Sequence, residues 1–397
     1  MDIANLETIN IGIVGHIDHG KTTLLQHLSG KWADTHSEEQ KRGITIKLGY
    51  ADAIIKKEGD KYTTDPESKG EPVRYITFID TPGHEMLMAT MLSGAAIIDA
   101  AILLVSASEG IKPQTREHLI ALEAKNIKNI IIAQNKIDLV TKEQATSNYK
   151  QIKEFVKGTI AENAPIIPIS AKQGVNIDKI LEELCKIKIE KKDENAKPLL
   201  LIARSFDINK PGTELKNLHG GILGGILKKG TLKVGDEIEI KPGLSQKKHN
   251  EFIYTPIKSK IISIYKGHYK VDKATPGGSI AIETELDTSL TKADSLAGTV
   301  ASTTGGLSDT TNFIKLQYDL FKNIAGEDKV INPIILNETL MLSVNTSITV
   351  GIVSKVSKNE VELKLKIPIV PIKEDSIGIS RNVGGHWRLI GFGKINL

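Results

Sequence analysis

Through the first half of the chain, short unbroken apolar runs alternate with stretches whose apolar positions recur at helical spacing. The runs are Ile11-Gly12-Ile13-Val14, Ile76-Thr77-Phe78-Ile79, Ile102-Leu103-Leu104-Val105, Ile130-Ile131-Ile132-Ala133 and Ile166-Ile167-Pro168-Ile169. They do not alternate with polar residues, so they read as strands buried on both faces. Helices over Gln114 to Lys125, Lys142 to Ala161 and Asn176 to Lys186 would supply the cover. That rhythm predicts a doubly wound, mostly parallel sheet. Residues 57 to 72, polar and rich in Lys, Glu, Gly, Asp and Pro, read as the least structured stretch.

The pattern changes after the charged stretch Glu190-Lys191-Lys192-Asp193-Glu194-Asn195, which precedes Pro198 as a linker would. Beyond it come short β-branched runs punctuated by Gly220-Gly221, Gly224-Gly225, Lys241-Pro242-Gly243 and Pro276-Gly277-Gly278, which read as turns between the strands of barrels. A second break at Thr303-Thr304-Gly305-Gly306 precedes more β-rich sequence. The expectation is three domains: an α/β domain over residues 1–195, then β-barrels over residues 196–304 and 305–397.

Composition narrows the class. With 397 residues, 40% apolar and 25% charged, the chain has the balance of a multidomain globular protein. The longest apolar runs, such as Ile97 to Val105, are broken by Asp99 and are far shorter than the roughly 20 residues a membrane span needs. With a start that has no basic leader, this suggests a cytoplasmic protein with no membrane role. Cys185 is the only cysteine, so no intrachain disulfide or thiolate zinc site can form; it reads as a core residue of an amphipathic helix. The net charge of +4 conceals an asymmetry, because residues 196 to 397 hold 27 Lys+Arg against 20 Asp+Glu. An excess of this size can attract a polyanion, but ordinary surfaces carry it too.

The unusual residues fall where the apolar runs end, which in open sheets of this kind is where ligands bind. Gly15-His16-Ile17-Asp18-His19-Gly20-Lys21-Thr22 follows the first run and precedes the helical Leu24-Leu25-Gln26-His27-Leu28, as a phosphate-binding loop does, with Thr23 a further nucleotide-binding candidate. Its glycines free backbone N–H groups to surround phosphates, Lys21 offers a cation, and Thr22 offers a hydroxyl to Mg2+. The loop itself does not choose between ATP and GTP. Asp80-Thr81-Pro82-Gly83 places a carboxylate near that metal and the Gly83 N–H near a γ-phosphate. Asn135-Lys136-Ile137-Asp138 supplies the base choice, since a carboxylate accepts both N1–H and the exocyclic amine of guanine, donors that adenine lacks. Ser170-Ala171-Lys172 can offer a backbone N–H to guanine O6. Arg42-Gly43-Ile44-Thr45 lies in a segment able to order around a γ-phosphate, with Thr45 as a second hydroxyl ligand of the metal. His16 and His19 can simply cap or pack, whereas His84 stands where an attacking water would approach.

With these residues the chain resembles translational GTPases of the elongation factor Tu type, and within them the gamma subunit of archaeal and eukaryotic translation initiation factor 2. The likeness covers nearly the whole length. It is carried by Asp34-Thr35-His36-Ser37-Glu38-Glu39, Lys41-Arg42-Gly43-Ile44-Thr45-Ile46-Lys47, Ala133-Gln134-Asn135-Lys136-Ile137-Asp138, Ala161-Glu162-Asn163-Ala164-Pro165, Arg204-Ser205-Phe206-Asp207-Ile208-Asn209-Lys210-Pro211-Gly212 and Trp387-Arg388-Leu389-Ile390-Gly391.

The resemblance implies a P-loop GTPase domain followed by two all-β barrels, cycling between GTP and GDP with Mg2+. It further implies a carrier of methionylated initiator tRNA that forms a heterotrimer with alpha and beta subunits and acts at the small ribosomal subunit. By the same likeness His84 would position the hydrolytic water, Ile17 and Ile44 would form an apolar gate beside it, and Asp18 would help hold a metal. Related gamma subunits carry a four-cysteine zinc knuckle where this chain has Lys57 to Pro72, so no zinc is expected here. Two other readings remain open: a GTPase of this fold with another cargo, such as selenocysteinyl tRNA, and a nucleotide-binding scaffold with negligible hydrolysis.

Overall fold

The computed structural model describes residues 6–30, 49–81, 88–249, 251–323, 330–372 and 375–396. The five apolar runs fall in strands of one seven-stranded sheet, with Ile169 just past the end of its strand. Strands β1 (Thr8–Gly15), β4 (Glu71–Asp80), β5 (Ala100–Ser106), β6 (Asn129–Asn135) and β7 (Ile166–Pro168) pair in parallel. β2 (Gly49–Glu58) and β3 (Lys61–Thr63) extend one edge antiparallel, giving the order β3-β2-β4-β1-β5-β6-β7. The sheet is therefore mixed. Ile9, Ile11, Ile13, Ile76, Phe78, Ile102 and Leu104 are fully buried, as a sheet covered on both faces requires.

The segment 57–72 is more ordered than its composition suggests. β2 and β3 form a hairpin around Gly59, whose φ of 60° suits glycine. The Lys56 ammonium then donates to the carbonyls of Pro66 and Ser68 at 2.7 and 2.8 Å, and Ser68 Oγ donates to the Glu58 carboxylate at 2.9 Å. An exposed edge hairpin has little apolar surface to hide, which is why no hydrophobic period marked it. Asp99, which interrupts an apolar run, accepts the backbone N–H of Asn10 at 3.0 Å and so fixes the start of β5 beside β1.

Five helices lie among the described residues of this region: α1 (Lys21–Ser29), Met88–Ala95, Pro113–Ala124, Lys142–Val156 and Ile177–Lys186. The fourth begins with a capping box between Thr141 and Gln144 and stops short of the expected Ala161. Its cap residue Lys157 is extended and Gly158 has φ 74°, a left-handed turn that breaks the helix. The fifth is amphipathic and buries Ile177, Ile180, Leu181 and Leu184, with Cys185 half-buried against the same core.

Beyond residue 190 the strands form two barrels. In the first, β8 (Leu199–Phe206), β9 (Ile222–Lys229), β15 (Ser279–Thr284), β12 (Glu251–Lys266), β11 (Glu237–Lys248) and β16 (Val300–Thr303) pair in a ring, closed by the β11–β12 and β16–β8 contacts, while the short β13 (Tyr269–Val271) pairs with β12 and β10 (Leu232–Lys233) with β14 (Lys273–Ala274). The second is a closed barrel in the order β17-β20-β19-β18-β21-β22, from β17 (Thr311–Leu320) through β18 (Thr339–Val344), β19 (Ser347–Val356), β20 (Glu360–Ile369) and β21 (Ser376–Val383) to β22 (His386–Ile395). Two glycine clusters expected as turns are not. Gly224-Gly225 lies inside β9, where a Cβ on Gly225 would come within 2.0 Å of the Leu201 carbonyl oxygen. Lys241-Pro242-Gly243 marks an irregularity within β11. By contacts the chain divides into two compact units; one joins Met1–Ile189 with Asp319–Pro333 and Gly378–Phe392, and the other holds the remainder.

Arg74, 5% exposed, secures the last helix of the α/β region to the sheet. Its guanidinium donates to the carbonyls of Leu184 and Ile187 at the helix end and pairs with Glu7. Arg74→Ala leaves those buried acceptors unpaired, so we expect a loss of about 2–4 kcal/mol. Calorimetry should record this as a lower melting temperature for the α/β region, and an unchanged transition would contradict it.

Candidate functional site

The carboxyl ends of the parallel strands deliver the predicted residues to one place. β1 ends at Gly15, whose φ of 141° and tight approach to Leu104 (a Cβ would lie 2.6 Å from its carbonyl oxygen) admit no side chain. The loop turns through Asp18, at φ 61°, and reaches α1 through Gly20, at φ 94°. A Cβ on Gly20 would lie 2.4 Å from Asn135 Nδ2. No side chain caps α1, so its first N–H groups and positive dipole end remain directed at the loop. Lys21 is 7% exposed and curls back over the loop, its ammonium donating to the carbonyls of Gly15 and His16 at 3.0 and 2.9 Å. Ile17 is half-buried, and Thr23 follows Thr22 in the first turn of α1.

Asp80, at the end of β4, is completely buried, and its Oδ2 accepts from Thr22 Oγ1 at 3.2 Å. A hydroxyl beside a carboxylate is the donor set a hard divalent cation selects, so these two residues fit Mg2+. Neighbouring Thr81 donates to the carbonyl of Ile13 at 2.8 Å, holding β4's end against β1.

Asn135 connects three segments. Its Nδ2 donates to the His19 carbonyl at 2.8 Å, and its Oδ1 accepts the Ala171 N–H at 2.9 Å. Lys136, at φ 62°, pairs with Glu109 at 3.1 Å, while Asp138 lies exposed in the turn Ile137–Leu139. Ser170 is buried, with its Oγ accepting from the Gln173 N–H at 3.2 Å, and Lys172 is exposed. Hydrogen bonds thus bring the loop, Asp80, Asn135 and the 170–171 segment together. Ile44, Thr45, Gly83 and His84 lie outside the described residues.

Sequence reasoning missed His118 and Glu109. His118, on the Pro113–Ala124 helix, accepts the Gly15 N–H on Nδ1 at 2.8 Å. Only its helical apolar surroundings were visible in the sequence, and periodicity does not distinguish a polar anchor from a core residue. His19 donates from Nδ1 to the Leu104 carbonyl at 3.2 Å, and its ring meets that of His16 edge-on at 5.0 Å.

Comparison with known proteins gives the arrangement its class. The family model for the Elongation factor Tu GTP binding domain matches residues 6–189, and the one for Initiation factor eIF2 gamma, C terminal, matches residues 312–395. A bacterial selenocysteine-specific elongation factor has the same fold, with a TM-score of 0.78 at 23% identity over 98% of this chain and 58% of that one. Translation elongation factor SelB from Methanococcus maripaludis, solved with the GTP analogue GppNHp, gives 0.75 at 25% identity, covering 99% and 79% of the two chains. The fold and its GTP-binding domain define a translational GTPase.

Full-length relatives specify which one. Translation initiation factor 2 subunit gamma of Methanococcus vannielii is 51% identical over 100% of both chains, and that of Pyrococcus furiosus is 50% identical over 98% of this chain and 97% of its own. The chain belongs to the translation initiation factor 2 gamma family.

Burial pushes the pKa of His118 down to about 3 and that of His19 to about 4, from an ordinary 6.5. Both imidazoles are therefore neutral in the folded chain, while the unfolded chain takes up protons first as pH falls. Their contribution is complete above pH 6.5 and is lost progressively below it, at about 1.4 kcal/mol per pH unit for each ring. Melting temperatures at pH 7, 6 and 5 should fall steadily, and His118→Asn, which does not titrate, should reduce the slope; identical slopes would contradict the assignment.

Proposed function

We propose that this GTPase carries methionylated initiator tRNA to the small ribosomal subunit, assembled with the alpha and beta subunits of the same factor in the cytoplasm. The observation that carries this reading is identity of about half over the full length with gamma subunits of translation initiation factor 2. The selenocysteine-type factors share the fold at half that identity, which favours initiation over their cargo.

In this reading the loop that Gly15 opens wraps the phosphates with the backbone N–H groups of His16, Ile17, Asp18, His19 and Gly20, and Lys21 exchanges its carbonyl partners for the β- and γ-phosphate oxygens. Thr22 and Asp80, with Asp18 and Thr45, take the Mg2+ side, where a bound cation would offset phosphate charge. Asn135, Lys136 and Asp138 face the guanine together with Ser170, Ala171 and Lys172. The exposed Asp138 carboxylate has the two acceptors that guanine's paired donors need, and adenine would leave it desolvated and unpaired. Gly83, His84, Ile17 and Ile44 keep the roles assigned by resemblance, positioning and gating the attacking water. The chain's one cysteine leaves no thiolate set for zinc, and Lys56 supplies the cross-link within the 57–72 segment.

Filter retention of methionylated initiator and elongator tRNAs, each with GTP and with GDP, tests the cargo. Initiator tRNA with GTP should be retained most strongly, at least tenfold over the other three combinations. Equal retention of all four would overturn the carrier reading.

A further inference from the structure

The N–H of Gly15, the first residue of the loop, donates to His118 Nδ1 at 2.8 Å. His118 is 2% exposed, so no water stands ready to replace this bond if the ring is lost. An imidazole nitrogen that accepts must be unprotonated, which requires a neutral ring with its hydrogen on Nε2. The Gly15 carbonyl, meanwhile, accepts from the Lys21 ammonium at 3.0 Å. Both polar groups of Gly15 are thus fixed. When Lys21 turns toward a phosphate the carbonyl is released, and beside the pairing of β1 with β5 the side-chain bond to His118 still holds Gly15.

The preceding helix residue, Glu117, is 4% exposed and accepts from the Arg388 guanidinium of β22 at 2.6 Å. Arg388 and Glu117 belong to the same compact unit. Adjacent residues of one helical turn therefore hold the start of the phosphate loop and a C-terminal strand.

We propose that His118 is a positioning residue for the phosphate loop, and that the Arg388–Glu117 ion pair seats the helix carrying it, so that docking of β22 tunes how long nucleotide is held. The inference rests on reading Gly15 to Thr23 as the phosphate site. Neither residue touches the nucleotide; both act through the geometry of Gly15.

Stopped-flow release of a fluorescent GDP analogue from the full chain tests this, with melting temperatures measured alongside. His118→Leu removes the acceptor and should speed release about tenfold, the loss of one buried hydrogen bond. His118→Asn puts an acceptor oxygen near the position of Nδ1 and should stay within about threefold of the unaltered chain. Arg388→Met should also speed release, by about threefold or more. Release from His118→Leu at the unaltered rate, or equal rates from Leu and Asn, would overturn the role of His118; unaltered release from Arg388→Met would overturn the coupling to β22. If the leucine variant fails to fold, Asn and Gln variants decide, since Gln sets its oxygen one carbon farther out; faster release from Gln supports the proposal and equal rates overturn it. Lys21→Ala separates the two readings: if it retains the analogue as well as the unaltered chain does, the phosphate-site reading itself fails.

Discussion

Asn135 turns three loops into one site. A side-chain amide has a donor end and an acceptor end, and here the donor is fixed by the His19 carbonyl and the acceptor by the Ala171 N–H. The residue is 2% exposed, so both bonds form where water does not compete and where an unmade bond would be costly. The glycine at position 20 exists for the same reason, since any Cβ there would strike the Asn135 amide. The loop after β1, the loop after β6 and the segment after β7 are thereby set relative to one another by the protein alone, which in the proposed function reduces the ordering that nucleotide binding requires.

That arrangement follows from the sheet. The strands β1, β4, β5 and β6, buried along most of their length, leave little room there for polar chemistry, so it collects beyond the strand ends, where Gly15, Asp80, Asn135 and, after β7, Ser170 stand. Two of the exceptions inside the domain are structural: Asp99 ties β5 to β1, and Arg74 closes a helix. Each meets a backbone group that would otherwise be buried unpaired.

This division explains what could be read from residues alone. Parallel strands announce themselves as unbroken apolar runs, and the phosphate and guanine motifs sit at fixed places behind them, so sheet, helices and motif loops were legible. The hairpin joining β2 to β3 was not, because its exposed turn and the polar residues after it carry no apolar signal, and Lys56 orders them by reaching across to two carbonyls. Gly225 looked like a turn because a glycine that admits a neighbouring strand's carbonyl and one that permits a left-handed turn are the same letter. His118 was invisible because its partner is a backbone N–H more than a hundred residues away.

In the proposed function these segments form one guanine-specific pocket whose shape depends on the Asn135 bridge. Calorimetric titration with GDP and ADP in Mg2+, on the unaltered chain and on Asn135→Ala, decides whether it does. GDP should be held on the order of 10⁴-fold or more tighter than ADP, and GDP affinity should drop by about tenfold or more when the bridge is removed. ADP bound as tightly as GDP, or an alanine variant that binds GDP as well as the unaltered chain, would contradict it.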